Sequence, residues 1–345
     1  MHLTTKLHKV AIVITFNDIQ KYTGGSRAGL KEKISYFDQF LILYESICTT
    51  WKKEKFDYEF HILHSIPFTK KKQRILENLR GGVTVKMVTY PPHRDKIRPM
   101  AYYLDVDCDY KLVLDVDMLA LKEPDFDFSV DAQAMYGGNK YNPNQWQKVC
   151  EHLNCDFPKD LIIKQDEGHY REFGIKEYFL YHTDPNCPKM FPYFNNGAIF
   201  IRNSLSKELA KVWEGYRASY TEFVKKEFNT NIDLEGQDVM GLAIHNVAKE
   251  WLPFQRGFNF ILQEKFEDGV AILRNHEDQA VLLHYINVPK ESTFYGAILN
   301  GYKEVQRKYY SLPDRIIERA KQYLYSSFLK NKRKLSKIKK QIVKA

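Results

Sequence analysis

Paired aspartates are the residues of this 345-residue chain that most directly suggest chemistry. Asp-x-Asp occurs four times, at Asp105/Asp107, Asp107/Asp109, Asp115/Asp117 and Asp125/Asp127. Two carboxylates so spaced at the end of a strand can face the same way. They then offer hard oxygen ligands to Mg²⁺ or Mn²⁺, whose other positions are filled by water and substrate phosphates. Only Asp115-Val116-Asp117 has that setting, directly after the apolar run Lys111 to Leu114 and before Met118-Leu-Ala-Leu121. The other copies lie in acidic or proline-flanked segments and read as solvated loop charges. The plain alternative for Asp115 and Asp117 is a turn after a strand.

The elements that must position this pair alternate between strand-like and helix-like periodicity. Val10 to Thr15 reads as a first buried strand, followed by a helix from about Arg27 to Lys53, where Leu30, Ile34, Phe37, Leu41, Tyr44 and Cys48 recur at three- and four-residue spacing. Strands are then expected at Tyr58 to His64, Val83 to Val88 and Lys111 to Leu114, with a helix at Lys70 to Leu79 and a turn at Gly81-Gly82. Such alternation predicts an α/β fold with a mostly parallel central sheet flanked by helices and ligands gathered at the carboxyl ends of the strands. Further on, Ala198 to Ile201 and Ala280 to Ile286 read as strands, Ser204 to Phe228 and Gln237 to Ala248 as helices, and the chain from Tyr302 onward as helical with a break near Pro313. Tyr141 to Pro192 reads as an inserted loop-and-helix region. One domain is expected over residues 1–300, its halves meeting near 130, with a helical extension over 301–345.

Composition narrows the class. With 44% hydrophobic and 28% charged residues the chain reads as soluble and globular, and no apolar run approaches the length of a membrane span. The N-terminus lacks the pattern of a secretory signal, so a cytoplasmic location is expected. The five cysteines form no Cys-x-x-Cys pair and read as reduced packing residues. The net charge is +9, yet Lys330 to Ala345 holds eight basic residues and no acidic one, leaving +1 for the other 329 residues. No Gly-x-Gly-x-x-Gly or phosphate-loop pattern occurs, and no RNA- or DNA-binding motif accompanies the tail, so dinucleotide, P-loop and nucleic-acid readings lose support.

A series of short motifs in a particular order resembles the GT-A fold glycosyltransferases, closest to the glycogenin and galactosyltransferase group, family 8. The chain has Leu114-Asp115-Val116-Asp117, Phe194-Asn195-Asn196-Gly197, Gly236-Gln237-Asp238, Leu252-Pro253 with Asn259, and His284-Tyr285-Ile-Asn-Val-Pro-Lys290, spanning roughly residues 9 to 290. Asn287 stands where the family has glycine, a departure from its pattern.

The resemblance implies a metal-dependent transfer of a sugar from a nucleoside-diphosphate donor, a UDP-sugar in most of the family, to a glycan or glycoconjugate acceptor. It implies that Asp115 and Asp117 hold Mn²⁺ or Mg²⁺ against the donor diphosphate and that His284 is a third ligand. A histidine beside the apolar run Val281 to Leu283 otherwise reads as a satisfied core residue. Lys290 is implied on the departing phosphates, the alternative being a solvated loop lysine. Thr15 and Asn17 are implied at the base and ribose, and Arg98 at the diphosphate, with Lys96 or Arg94 as alternatives. Asn195, Asn196 and Gly197 would form a turn whose amides hold sugar hydroxyls, although Asn-Gly is a strong hairpin former in any protein. Gln237 and Asp238 are implied beside the anomeric carbon, while Asp238 would equally serve as a helix-start charge.

Family 8 enzymes retain anomeric configuration. Double displacement would require a carboxylate opposite the leaving group, for which Asp238 is the candidate; front-side attack requires none. Inverting GT-A relatives instead use an acidic residue as base. A reading of another class is a non-catalytic protein that binds anionic surfaces or polyanions through its basic tail. Lys330 to Lys344, with Leu335, Ile338, Ile342 and Val343 interspersed, could contact a membrane peripherally. The acceptor side is expected in the insertion, where Tyr141, Trp146, Tyr170, Tyr178 and Tyr181 could stack on sugar rings.

Overall fold

Strand β1 (His8–Thr15) is an almost unbroken run of apolar residues, the pattern of a strand covered on both faces, and Val10 to Ile14 are fully buried. In the computed structural model, which describes residues 7–17, 34–88, 94–136, 143–157, 194–228, 235–254, 258, 260–261, 280–284 and 293–313, β1 lies inside a seven-stranded sheet. Its parallel neighbours are β2 (Phe56–His64), with β3 (Val83–Met87) beyond it, and on the other side β4 (Tyr110–Leu114). The sheet continues from β4 through the antiparallel β7 (Phe194–Arg202) to β6 (Ala132–Tyr136) and β8 (Trp251–Pro253), the last two parallel. Four of the six strand pairs are parallel, which gives the expected mostly parallel sheet with a reversed strand at β7.

A three-stranded sheet in the order β5 (Met118–Ala120), β10 (Leu282–His284), β9 (Phe260–Ile261) stands beside it. The chain leaves β4 at Leu114 and enters β5 at Met118, so Asp115-Val116-Asp117 is the link between the two sheets.

Helices cover the sheet. Helix α1 (Tyr36–Thr50) starts where Ser35 accepts the N–H of Asp38 at 3.0 Å and returns its hydroxyl to the Asp38 carboxylate at 2.7 Å, a reciprocal cap. The expected helix from Arg27 thus begins at Tyr36 within the described residues, and residues 18–33 lie outside them. Helices α2 (Lys70–Glu77), α3 (Arg94–Tyr103) and α4 (Pro143–Leu153) follow, then α5 (Asn203–Phe228), α6 (Glu235–Val247) and α7 (Thr293–Tyr309). The last starts nine residues before the expected Tyr302 and packs on α1: Gly301 faces Ile42, Lys308 pairs with Glu45, and Gln306 donates to Asp38 at 3.2 Å.

One charge is buried where the sequence read as strand core. Lys111 on β4 is fully buried and donates to the carbonyls of Tyr102 at 2.7 Å and Leu104 at 2.6 Å and to Ser206 Oγ at 2.9 Å, tying β4 to the end of α3 and the start of α5. Burial pushes its ammonium from 10.5 down to about 8. The unfolded chain therefore binds the extra proton between those values, and stability rises with pH across that window. This contribution, which the raised Cys48 and Cys108 thiols oppose above about pH 9, is expected as a climb of the wild-type urea midpoint relative to that of Lys111→Met between about pH 8 and 10. Lys111→Met should itself, by stranding three acceptors, cost about 1–3 kcal/mol. An equal change of midpoint with pH in the variant would refute this account of Lys111.

Candidate active site at the junction of the two sheets

Two pairings fix the geometry around Asp115 and Asp117. The β5–β10 register sets His284 opposite Met118, the residue after Asp117. The backbone N–H of Asp115 donates to the carbonyl of Gly197 on β7 at 2.7 Å, which ties the link to the large sheet. As a result His284 Nε2 lies 3.6 Å from Asp115 Oδ2 and 3.5 Å from Asp117 Oδ1. One ligand atom from each of the three residues lies within 4.8 Å of the other two. Among the described residues no other group of three such side chains converges in this way.

The donor set fits a divalent cation. Ligands on one Mg²⁺-sized ion at about 2.1 Å stand roughly 3 to 4.2 Å apart, close to the spacings found here. Two carboxylates and one imidazole suit Mn²⁺ or Mg²⁺. Asp117 has no exposed surface and His284 has 3%, so both are held by the core rather than by solvent. The guanidinium of Arg98, on α3, binds Asp115 Oδ1 and leaves Oδ2 turned toward His284. Arg98 Nε and Nη2 are buried and meet no acceptor among the described residues, so these two nitrogens, with three N–H groups, remain for a ligand. Beside them Tyr102, fully buried, has its hydroxyl pushed up to about 12 by burial, with Arg98 opposing.

Gly197 corrects the expected turn. β7 runs unbroken from Phe194 to Arg202, and its register against β6 shifts between Ala134 and Met135, so that residues 196–198 are accommodated as a bulge. Asn195 Oδ1 accepts the Gly197 N–H at 2.7 Å. The glycine is needed for clearance, since a Cβ there would stand 2.6 Å from His284 Cε1, 2.7 Å from Nδ1 and 2.6 Å from Asn195 Oδ1. Asn196 is half-buried on the same bulge, and its Oδ1 is buried with no donor among the described residues, an acceptor suited to a hydroxyl.

The remaining expected residues are placed unevenly. Thr15 ends β1 and is half-buried. Asn17 is buried and its amide is anchored on Ser65: Nδ2 donates to Ser65 Oγ at 2.8 Å and Oδ1 accepts the Ser65 N–H at 2.8 Å. It therefore staples the ends of β1 and β2, with Ser65 a partner that sequence did not single out. Gln237 is half-buried near the start of α6, where the Gly236 carbonyl accepts Trp213 Nε1 at 2.6 Å. Asp238 lies on α6, and its side chain, like Lys290, Asn259 and the basic tail Lys330 to Ala345, is outside the described residues. Of the insertion, only residues 143–157 are described; Trp146 is fully buried in the core, which removes it as a sugar-stacking surface.

The other Asp-x-Asp copies behave as the sequence suggested. Asp105, Asp107 and Asp109 precede β4, at the end of the strand opposite the candidate site, where they contact Lys207, Lys9 and the backbone N–H of Lys9 respectively. Asp125 faces Lys55, and Asp127 accepts from Ser129.

No family model matches the sequence, and no curated protein matches it. Solved structures similar to the chain include the galactosyltransferase LgtC in complex with donor and acceptor sugar analogs, at 15% identity and a TM-score of 0.47, covering 88% of this chain and 98% of that one. Others are the bifunctional glycosyltransferase WbbM in its apo form, at 12% identity and a TM-score of 0.44, covering 87% of this chain and 52% of that one, and the apo glycosyltransferase GlyE of Streptococcus pneumoniae, at 13% identity and a TM-score of 0.42, covering 88% and 63%. Among the described residues no helix is long and apolar enough to cross a membrane.

Proposed function

We propose that the chain is a divalent-metal-dependent glycosyltransferase that moves a hexose or pentose from a nucleoside-diphosphate sugar, a UDP-sugar, to a hydroxyl of a glycan or other acceptor, with retention of configuration. The observation that carries this reading is the convergence of Asp115, Asp117 and His284 at the carboxyl end of β4. Ligands of α/β sheets gather at that end of the strands.

Asp115, Asp117 and His284 would hold Mn²⁺ or Mg²⁺. When bound, such a cation supplies Lewis-acid stabilisation to the phosphate oxygens of a leaving nucleoside diphosphate. Arg98 orients Asp115 through one nitrogen and offers its remaining buried donors to phosphate oxygens. Lys290 would add a second cation on those phosphates, so that the leaving group departs without a protein proton donor. Asn196 Oδ1 would accept a hydroxyl of the transferred sugar. Gln237 and Asp238 are assigned beside the anomeric carbon, and Thr15 to the nucleotide. Asn17, held by Ser65 through one Nδ2–H and one Oδ1 lone pair, would keep its second N–H for the ribose. The choice of UDP and of retention rests on the family resemblance.

The test is nucleoside-diphosphate release from a panel of sugar nucleotides, with Mn²⁺ and with excess chelator. Release from at least one donor, abolished by the chelator and restored by Mn²⁺, is the expected result. Release that is indifferent to the chelator would remove the metal from the reaction, and no release from any donor would remove the transferase reading.

A further inference from the structure

Cys150 and Cys155 are separated by four residues in sequence, a spacing that suggests no partnership. The end of α4 brings them together. Asn154 adopts the left-handed conformation, with φ of 51°, just after the last helical residue. The Asn154 N–H donates to the Glu151 carbonyl at 3.3 Å, and the Cys155 N–H donates to the Cys150 carbonyl at 3.0 Å. These are the two hydrogen bonds of a Schellman cap, in which the side chains at the two cysteine positions meet. The bent covalent path through the Cys150 carbonyl and the single hydrogen bond keep the two α-carbons under roughly 7 Å apart, inside or at the upper edge of the range a disulfide spans. The two thiols lie close enough to shift each other's ionisation, and Tyr216 on α5 lies beside Cys155.

We infer that Cys150 and Cys155 are a reversible dithiol–disulfide pair, a site of two-electron oxidation at the end of α4. Cys150 is 1% exposed, whereas Cys155 is half-buried and reaches solvent. The attacking role therefore falls to Cys155 and the resolving role to Cys150. The Cys155 sulfur attacks hydrogen peroxide, the O–O bond breaks, one water leaves, and a sulfenic acid forms. The Cys150 sulfur then attacks the Cys155 sulfur, the S–O bond breaks, and a second water leaves as the disulfide forms. One peroxide is thus reduced to two waters while two thiols are oxidised, and an external thiol reverses the step. The electrostatics agree with this division. The neighbouring Cys150 thiol, and after it the Tyr216 hydroxyl, hold the Cys155 thiol below its ordinary range, whereas burial pushes up Cys48 and, to about 11, Cys108.

The full chain treated with one equivalent of hydrogen peroxide and digested with trypsin without reduction is the test. Both cysteines fall in the single tryptic peptide 149–159. That peptide is expected to lose the mass of two hydrogens and to resist alkylation until reduced. In Cys150→Ser the sulfenic acid should persist and be captured by dimedone at Cys155. Before oxidation, Cys155 should be alkylated about tenfold faster than Cys48 or Cys108. Retention of both thiols in the peptide, a link from Cys155 to another cysteine instead, or faster alkylation of Cys48 would overturn the assignment.

Discussion

Asp117→Asn is expected to abolish the Mn²⁺-dependent release of nucleoside diphosphate by about a hundred- to a thousandfold, the scale on which one preorganised electrostatic group acts, without unfolding the protein. Asp117 is completely buried beside His284, with a second carboxylate, Asp115, in the same cluster. Without a cation, two like charges share a poorly hydrated space and repel. An amide of the same shape removes one of those charges and one ligand, so the variant's melting temperature without metal should equal or exceed that of the wild type. The wild type should gain stability when Mn²⁺ is added, because a ligand bound only by the folded state stabilises it. The variant should not. A variant that keeps the Mn²⁺ shift, or that unfolds where the wild type does not, would place Asp117 in the core rather than in the metal site.

Gly197→Ala should produce the second largest effect, although glycine and alanine carry no chemistry. The added methyl would stand 2.6 Å from His284 Cε1 and 2.7 Å from Nδ1, separations that force something to move. The backbone at 197 cannot easily yield, because its carbonyl accepts the Asp115 N–H and its N–H donates to Asn195. The imidazole must therefore turn or slide, and its Nε2 leaves the line shared with the two carboxylates. Overpacking of this kind costs about 1–3 kcal/mol, and misplacing a ligand through a neighbour costs about 10–100-fold in metal affinity. Mn²⁺ affinity and the thermal midpoint measured on the same preparation separate the two effects. Gly197→Ala with unchanged Mn²⁺ affinity would show that His284 is not a ligand.

The fold was legible because its strands are apolar runs with turn residues between them. Val10 to Thr15, Tyr58 to His64 and Val83 to Val88 fall within a few residues of β1, β2 and β3, and the Asp-x-Asp pair ends β4 as its setting implied. What escaped the sequence is whatever depends on pairing between distant segments. Asn195-Asn196-Gly197 has the composition of a hairpin turn, yet local preference yields there to the hydrogen bonds of β4 and β6, and the segment becomes part of β7. Lys111 opens a run read as a buried strand, and nothing within that run reveals the three acceptors supplied by the end of α3 and the start of α5. Asn17 meets Ser65 only because β1 and β2 are parallel and end together. Cys150 and Cys155 meet through a left-handed Asn154, a residue type common at such caps, so the signal was present but local and weak.

The most direct measurement is a Mn²⁺ titration of the full chain followed by electron paramagnetic resonance, in which the sharp signal of the free aqueous ion disappears on binding. The wild type should remove one ion per chain from solution, and Asp115→Asn, Asp117→Asn and His284→Gln should each weaken that uptake. Unaltered uptake in any of the three, or none in the wild type even with a nucleoside diphosphate present, would contradict a shared cation at the meeting of the two sheets.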